Sequence, residues 1–490
     1  MAKLVMHLKR LVRSEWFWLV LTSAGLRLPT LGREALWYDE TFTAWISARL
    51  NWHDFWRAVA GDVHPPLWYM IEALVVRTLG TSEFALRLPS AIASIIGTLM
   101  LWRLARSIGF AQRTAFAAGL LSAVLPAGFY YGQEARVYAL LSVFVLLSVQ
   151  AAIQRRWIWF AIGCIGTVYC HNLGVFYVAA LGMAVLWHER RRPLRAIAPA
   201  IALISVVGAW SPWAGVMLRQ AQAIGAAFWM HPLTVGGALE PLASMSMGWR
   251  VPESLMMHVY AAAFGATLVG MIASRHWLRT RQGTLILVTA FGAPLMVAMA
   301  SVAWRSVYLP RAFLPSALLL MLAWAYALMH LARQNRAALR LILLPMLGIG
   351  MASHFLGTPR FDWRAWLQPV QAQWQDGDLV YHPALSTAIT LQYYLDGKPY
   401  LLRPYSSDLN QALSDATRAA MGFTEGAFEE ATAQARRVWI LFYTNPMSSR
   451  AELEFLARMA REARLIQRRA NELSTVAIYL YETPKAARHD

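Results

Sequence analysis

Six short groups of residues in this chain carry side chains able to move protons or hold anions. They are Trp37-Tyr38-Asp39-Glu40, Asp62-Val63-His64-Pro65-Pro66-Leu67, Ser82-Glu83 with Arg87-Leu88-Pro89, Gln133-Glu134-Ala135-Arg136-Val137-Tyr138, His171-Asn172 and Tyr308-Leu309-Pro310-Arg311. A carboxylate such as Asp39 or Glu40 can take a proton from a hydroxyl acceptor. Neighbouring residues point in different directions on a helix, so one acid serves as the base while the other faces a cation or the loop. Asp39 equally suits the cap of a helix running over Thr41 to Leu50. His64 precedes a Pro-Pro turn that opens a helix, as a cationic or hydrogen-bonding group or as a cap. Two arginines at the mouth of a pocket are the usual means of holding a phosphate, which suits Arg136 and Arg311. Snorkelling, or pairing of Arg136 with Glu134, is the structural alternative. Glu83, Arg87, Glu134, Tyr138 and His171 complete the set as supporting residues. The histidines and acids could also take a divalent cation, but no two stand at a recognised ligand spacing, so no metal site is assigned.

The elements that must position these groups lie in a membrane. Of 490 residues 58% are hydrophobic and only 15% charged, where a soluble protein carries about 25% charged residues. Mean hydropathy is +0.39, and 22 Trp and 20 Phe fall in long apolar runs. This composition excludes a soluble globular enzyme. The net charge of +18 is equally informative in its placement: residues 1–356 hold 30 Lys and Arg against 12 Asp and Glu, whereas residues 357–490 hold 15 of each. An excess confined to the apolar part fits orientation in a bilayer and not a nucleic-acid surface. Cys164 and Cys170 share one apolar segment and predict core packing, with no disulfide framework.

Apolar stretches occur near 15–31, 66–80, 88–107, 114–130, 137–153, 157–170, 173–188, 196–216, 255–274, 283–303, 312–332 and 338–356. The stretch at 66–80 carries Glu72 and Arg77 and is shorter than the ~20 residues needed to span ~30 Å of hydrocarbon. If it lies at the surface, the basic loops fall on one side, which then holds 19 basic and 2 acidic residues against 11 and 10 elsewhere in the apolar part. The positive-inside rule therefore predicts about eleven spans, a cytoplasmic N-terminus with an uncleaved first span, and a surface helix at 66–80. A transmembrane domain over 1–356 then carries an external loop over 32–87 and a second over about 217–254. A small external α/β domain follows over 357–490, with strand-like runs at Asp378–His382, Val438–Tyr443 and Thr475–Tyr481 and a helix over Leu453–Arg468. All six chemical groups arrive at the non-cytoplasmic face. A transporter or flippase of a lipid-linked sugar is the alternative reading, and it calls for midplane charges and repeated halves.

With these residues in place, the sequence resembles the GT-C membrane glycosyltransferases. Its likeness is to bacterial, glycosyltransferase family 39-like relatives of the dolichyl-phosphate-mannose protein mannosyltransferases and the lipid A aminoarabinose transferases. The resemblance rests on Leu36-Trp37-Tyr38-Asp39-Glu40, His64-Pro65-Pro66-Leu67, the run from Glu83 to Ser90, Gln133 to Tyr138 and Tyr308 to Pro315. It implies an all-α polytopic membrane domain with outer-surface helices and a small C-terminal α/β external domain. It also implies inverting transfer of a hexosyl or pentosyl group from a polyprenyl-phosphate carrier. The acceptor would be a lipid, glycan or protein on the outer face of a bacterial inner membrane. Asp39 matches the place of the base, with Glu40 second; Arg136, Arg311 and His64 match the places that hold the donor phosphate. No nucleotide is implied, and a divalent cation is an open option. The aminoarabinose branch has Lys where His64 stands and an Arg-Tyr pair where this chain has Thr41-Phe42-Thr43. The large β-trefoil insertion of the protein mannosyltransferases has no counterpart in length here.

Overall fold

The computed structural model describes residues 12, 14–49, 51–223, 230, 232–247, 253–357, 360–383, 385–395, 397–402, 422–443, 457, 461, 463–470 and 476–483. They fall into two compact units. The first comprises Met1–Arg33, Val63–Leu218 and Met230–Thr358; the second comprises Glu34–Asp62, Arg219–Trp229 and Pro359–Asp490.

The first unit is helical, as apolar sequence that must satisfy its own backbone requires. Helices occupy Glu15–Arg27, Pro66–Leu79, Glu83–Ser107, Gln112–Val124, Tyr138–Gln154, Trp157–Cys170 and Gly174–Glu189. Pro193–Ala223, of which the part up to Leu218 belongs to this unit, Met256–Ala273, Arg281–Ala303, Leu314–His330 and Arg333–Leu356 follow. Among the described residues six helices are long and apolar enough to cross a membrane, and Tyr138–Gln154, Trp157–Cys170 and Gly174–Glu189 are shorter apolar ones. The stretch near 114–130 breaks at Pro126 into a long and a short helix, Gln112–Val124 and Pro126–Tyr131. Of those six, the span ending in Leu314–His330 is the most enclosed, with Leu318, Leu319, Met321, Leu322 and Trp324 all in the core. Small residues let helices approach closely: a Cβ on Gly163 would lie 2.6 Å from Ser148 Oγ, and one on Gly166 would collide with the Phe144 ring.

At the basic end of this bundle Glu189, 1% exposed, accepts from Arg155 Nη2 at 2.8 Å and lies 3.5 Å from Arg281 Nη2. Arg281 also donates to the carbonyls of Ala152 and Ile153, in the last turn of the helix Tyr138–Gln154. One carboxylate thus fastens the ends of three helices.

The second unit contains a five-stranded mixed sheet of order β2-β1-β3-β5-β4: β1 Asp378–His382, β2 Tyr400–Leu402, β3 Arg437–Tyr443, β4 Arg464–Ala470 and β5 Val476–Glu482. β1 pairs in parallel with β2 and β3, while β5 is antiparallel to β3 and β4. Side chains alternate across it. Leu379, Tyr381, Val438 and Ile440 enter the core that includes Ala431 and Ala435. Val380, Trp439 and Leu441 meet Leu367, Val370, Leu391 and Leu395 of the helices Trp363–Ala372 and Leu385–Tyr394. The three strand-like runs of the sequence coincide with β1, β3 and β5. The helix expected over 453–468 gives way to a strand from Arg464, because β5 offers an edge whose backbone groups need partners; most of 453–462 lies outside the described residues. Buried Asp378 accepts from Arg437 Nε at 2.8 Å and Nη2 at 2.6 Å and from Trp439 Nε1 at 2.9 Å.

His382 in β1 is fully buried, and burial lowers its pKa to about 4 despite a hydrogen bond with Gln392. The unfolded chain binds this proton near pH 6.5 and the folded chain does not. The second unit therefore loses up to about 3 kcal/mol of stability as pH falls from about 6.5 to about 4, and no more from this group below that. Unfolding titrations of wild type and His382→Phe should differ in slope across that window. Glu189→Gln should lower the stability of the helical unit by about 2 kcal/mol, read from thermal unfolding in detergent.

Candidate active site

The first unit gathers five of the residues singled out in the sequence. His64 opens the segment before the helix Pro66–Leu79. Pro65 is extended at φ −66° and ψ 161°, so the chain turns into that helix directly after the imidazole. Arg136 Nη2 donates to His64 Nε2 at 3.2 Å. The backbone behind Arg136 is pinned twice: Ser90 Oγ donates to the Arg136 carbonyl at 2.9 Å, and Trp68 Nε1 to that of Ala135 at 3.3 Å. Arg136 is 4% exposed, which fixes its guanidinium in place.

His171 ends the helix Trp157–Cys170 in extended conformation. Its carbonyl accepts from Gly174 N at 2.7 Å, and its Nδ1 accepts from Leu173 N at 3.0 Å. The turn closes tightly enough that a Cβ on Gly174 would strike the Thr167 carbonyl. Asn172 Nδ2 donates to the Val63 carbonyl at 2.8 Å, tying this turn to the His64 segment. The two imidazoles meet edge to face at 5.5 Å, and the Tyr138 ring lies 5.9 Å from His171. Arg311, in the short turn Pro310–Phe313, sits over that Tyr138 ring at 5.4 Å. Burial first, then the electrostatic influence of His64, Arg136 and Arg311, holds the His171 pKa well below the ordinary histidine range. Two guanidinium groups and a second imidazole thus surround the His171 ring, a set of side chains suited to an anion.

The other supporting residues do different things. Glu83 lies in the first turn of Glu83–Ser107, whose N-cap Ser82 accepts from Ala85 N, a favourable place for a carboxylate. Arg87 donates to the Leu31 carbonyl at 3.1 Å, and buried Glu134 supplies the carbonyl that accepts from Arg136 N at 2.7 Å.

Asp39 and Glu40 belong to the second unit, in the first turn of the helix Tyr38–Ser47. Glu40 is fully buried, accepts from Arg360 Nη1 at 2.9 Å and accepts from Trp37 N at 3.3 Å. Arg360 also lies 3.8 Å from Glu34 and stacks over Trp37 at 5.6 Å. The helix is held to Leu385–Tyr394 through Thr41 with Thr390 and Leu36 N with Tyr394 Oη. Asp39 is partly exposed. The adjacent acids therefore do diverge, one inward to a cation. No local sequence pattern marks Arg360, which lies 320 positions from its partner Glu40. Among the described residues no group of three or more His, Cys, Asp or Glu is placed to hold a metal ion.

Residues 63–215 match the model of the dolichyl-phosphate-mannose-protein mannosyltransferase family, a span that includes His64, Arg136, Tyr138 and His171. Over 94% of this chain and 97% of the other, the structure is similar to apo ArnT from Cupriavidus metallidurans, with a TM-score of 0.62 at 14% identity. The likeness to the same protein bound to undecaprenyl phosphate has a TM-score of 0.63 at 14% identity over the same shares. The fold is that of ArnT. No curated protein sequence matches the chain. With several helices long and apolar enough to cross a bilayer, the chain is a multi-pass membrane protein.

The two acids should separate in stability. Glu40→Gln leaves Arg360 facing a neutral amide and should cost about 3 kcal/mol in unfolding of the second unit. Asp39→Asn at its partly exposed position should cost less than about 1 kcal/mol; denaturant unfolding monitored by near-UV dichroism measures both.

Proposed function

We propose that this chain is an inverting glycosyltransferase that moves a hexosyl or pentosyl group from a polyprenyl-phosphate carrier to an acceptor on the outer face of the bacterial inner membrane. The observation that carries the reading is the pocket built from His64, Arg136, Tyr138, His171 and Arg311. Support comes from the family match over 63–215 and from the fold shared with a protein solved with undecaprenyl phosphate bound. In this reading residues 1–356 form the catalytic membrane domain with about eleven spans and a cytoplasmic N-terminus. Residues 357–490 are the extracytoplasmic domain.

Asp39 is the base. It takes the proton of the acceptor hydroxyl as that oxygen attacks the anomeric carbon, and the bond from that carbon to the phosphate oxygen breaks on the opposite face, inverting configuration. The sugar-bearing diester leaves as a phosphate monoester with one more negative charge. Arg136 and Arg311 therefore bind the departing group more strongly than the substrate, which is the condition for acceleration. A phosphate leaving group needs no proton from the enzyme, so one base suffices. His64 accepts from Arg136 and so aims its guanidinium. Glu40, engaged with Arg360, anchors the helix that carries Asp39.

The test incubates the purified protein in lipid with labelled polyprenyl-phosphate sugars and an extract of envelope acceptors. Wild type should yield labelled product. Asp39→Asn should lower transfer by about 100-fold or more while still binding polyprenyl phosphate, and Arg136→Ala or Arg311→Ala should weaken that binding by about 10- to 100-fold. Sugar translocation across a proteoliposome without any transfer would replace this reading with the flippase.

A further inference from the structure

His171 Nδ1 accepts the backbone N–H of Leu173 at 3.0 Å, so the ring's proton is on Nε2. That nitrogen is buried in a residue 5% exposed, and it has no hydrogen-bond partner among the described residues. A buried donor left without a partner costs about 1–3 kcal/mol and calls for an explanation. The surroundings supply one. The ring stands edge to face with His64 and beside Tyr138, over whose ring Arg311 sits. His64 in turn takes the hydrogen bond of Arg136. The missing partner is thus an acceptor, and the cations around it select a negative one.

Resting on the reading of this pocket as the carrier-phosphate site, we propose that His171 is a phosphate-binding residue whose neutral Nε2–H donates to an oxygen of the polyprenyl phosphate. The imidazole does no proton transfer: Leu173 fixes its tautomer, and burial together with the nearby cations opposes a second proton. A neutral donor suits this position because a third full positive charge would repel Arg136 and Arg311. A neutral N–H adds direction without that cost. The turn is built for this: Gly174 closes it, and Asn172 fastens it to the segment bearing His64.

His171→Asn separates the two jobs of the ring, because an Asn Oδ1 can still accept from Leu173 N while its shorter Nδ2 amide does not reach the position of Nε2–H. Binding of polyprenyl phosphate, of the uncharged polyprenol and of inorganic phosphate is measured on the full chain in nanodiscs by phosphorus NMR and native mass spectrometry. Wild type should bind polyprenyl phosphate, and His171→Asn should bind it about 10- to 100-fold more weakly with unchanged thermal unfolding. Polyprenol binding should be equal in both. Should inorganic phosphate show the same dependence on His171, the recognised feature is the phosphate alone; if only the lipid form does, it is the lipid headgroup in its groove. As a measurement independent of any variant's folding, the nitrogen-15 signal of His171 Nε2–H should move on adding polyprenyl phosphate and stay fixed on adding polyprenol. Equal binding by wild type and His171→Asn, or an unmoved signal at saturation, overturns the assignment of His171 alone. Failure of wild type to bind polyprenyl phosphate at all overturns the pocket reading beneath it.

Discussion

The hydrogen bond from Arg136 to His64 is the constraint on which the pocket is built. A guanidinium with 4% exposure must have its donors answered, or burial would cost several kcal/mol. Here the answer at Nη2 is an imidazole lone pair at 3.2 Å. Unlike a carboxylate, it accepts without bringing a negative charge. The contact also requires that the 64–66 turn, the 133–138 segment and the helix starting at Glu83 be mutually fixed. Ser90 and Trp68 do this by holding the carbonyls on either side of the Arg136 side chain's own backbone. The His171 turn is then placed by Asn172 on Val63, one residue before His64.

The second unit solves a different problem, that of holding an acid at the start of a short helix. Two successive carboxylates repel, and a ten-residue helix is marginal by itself. Glu40 resolves both difficulties by turning inward to Arg360 and closing the helix against Trp37 N, while the helix flank packs on Leu385–Tyr394. Asp39 is left on the more exposed side. The charge of one acid is used for architecture, and the other is kept for chemistry in the proposed reaction.

The periodic and the apolar were readable from the chain alone. Long apolar runs became helices because a bilayer leaves no other way to satisfy their backbone. The strand-like runs at 378–382, 438–443 and 475–481 became β1, β3 and β5 because alternating or wholly apolar β-branched and aromatic residues suit a sheet buried on both faces. β4 carries no strand signal of its own: Arg464-Leu465-Ile466-Gln467-Arg468 has no helix-breaking residue and is largely exposed, so only pairing with β5 selects the strand over the expected helix. β2 is three residues long and carries too little pattern to be seen.

The amino-acid order by itself determined which residue types exist to do chemistry and that most of the chain belongs in lipid, because composition and hydrophobic period act locally. It named Arg136, Arg311 and His64 as a donor-phosphate set, with Tyr138 and His171 in support, on resemblance and topology and without any distance between them. Tertiary structure alone decided that grouping, the partnership of Glu40 with Arg360 and the unanswered Nε2–H of His171. Each depends on distances between segments tens to hundreds of residues apart, set by packing of whole helices, and no local sequence pattern encodes them.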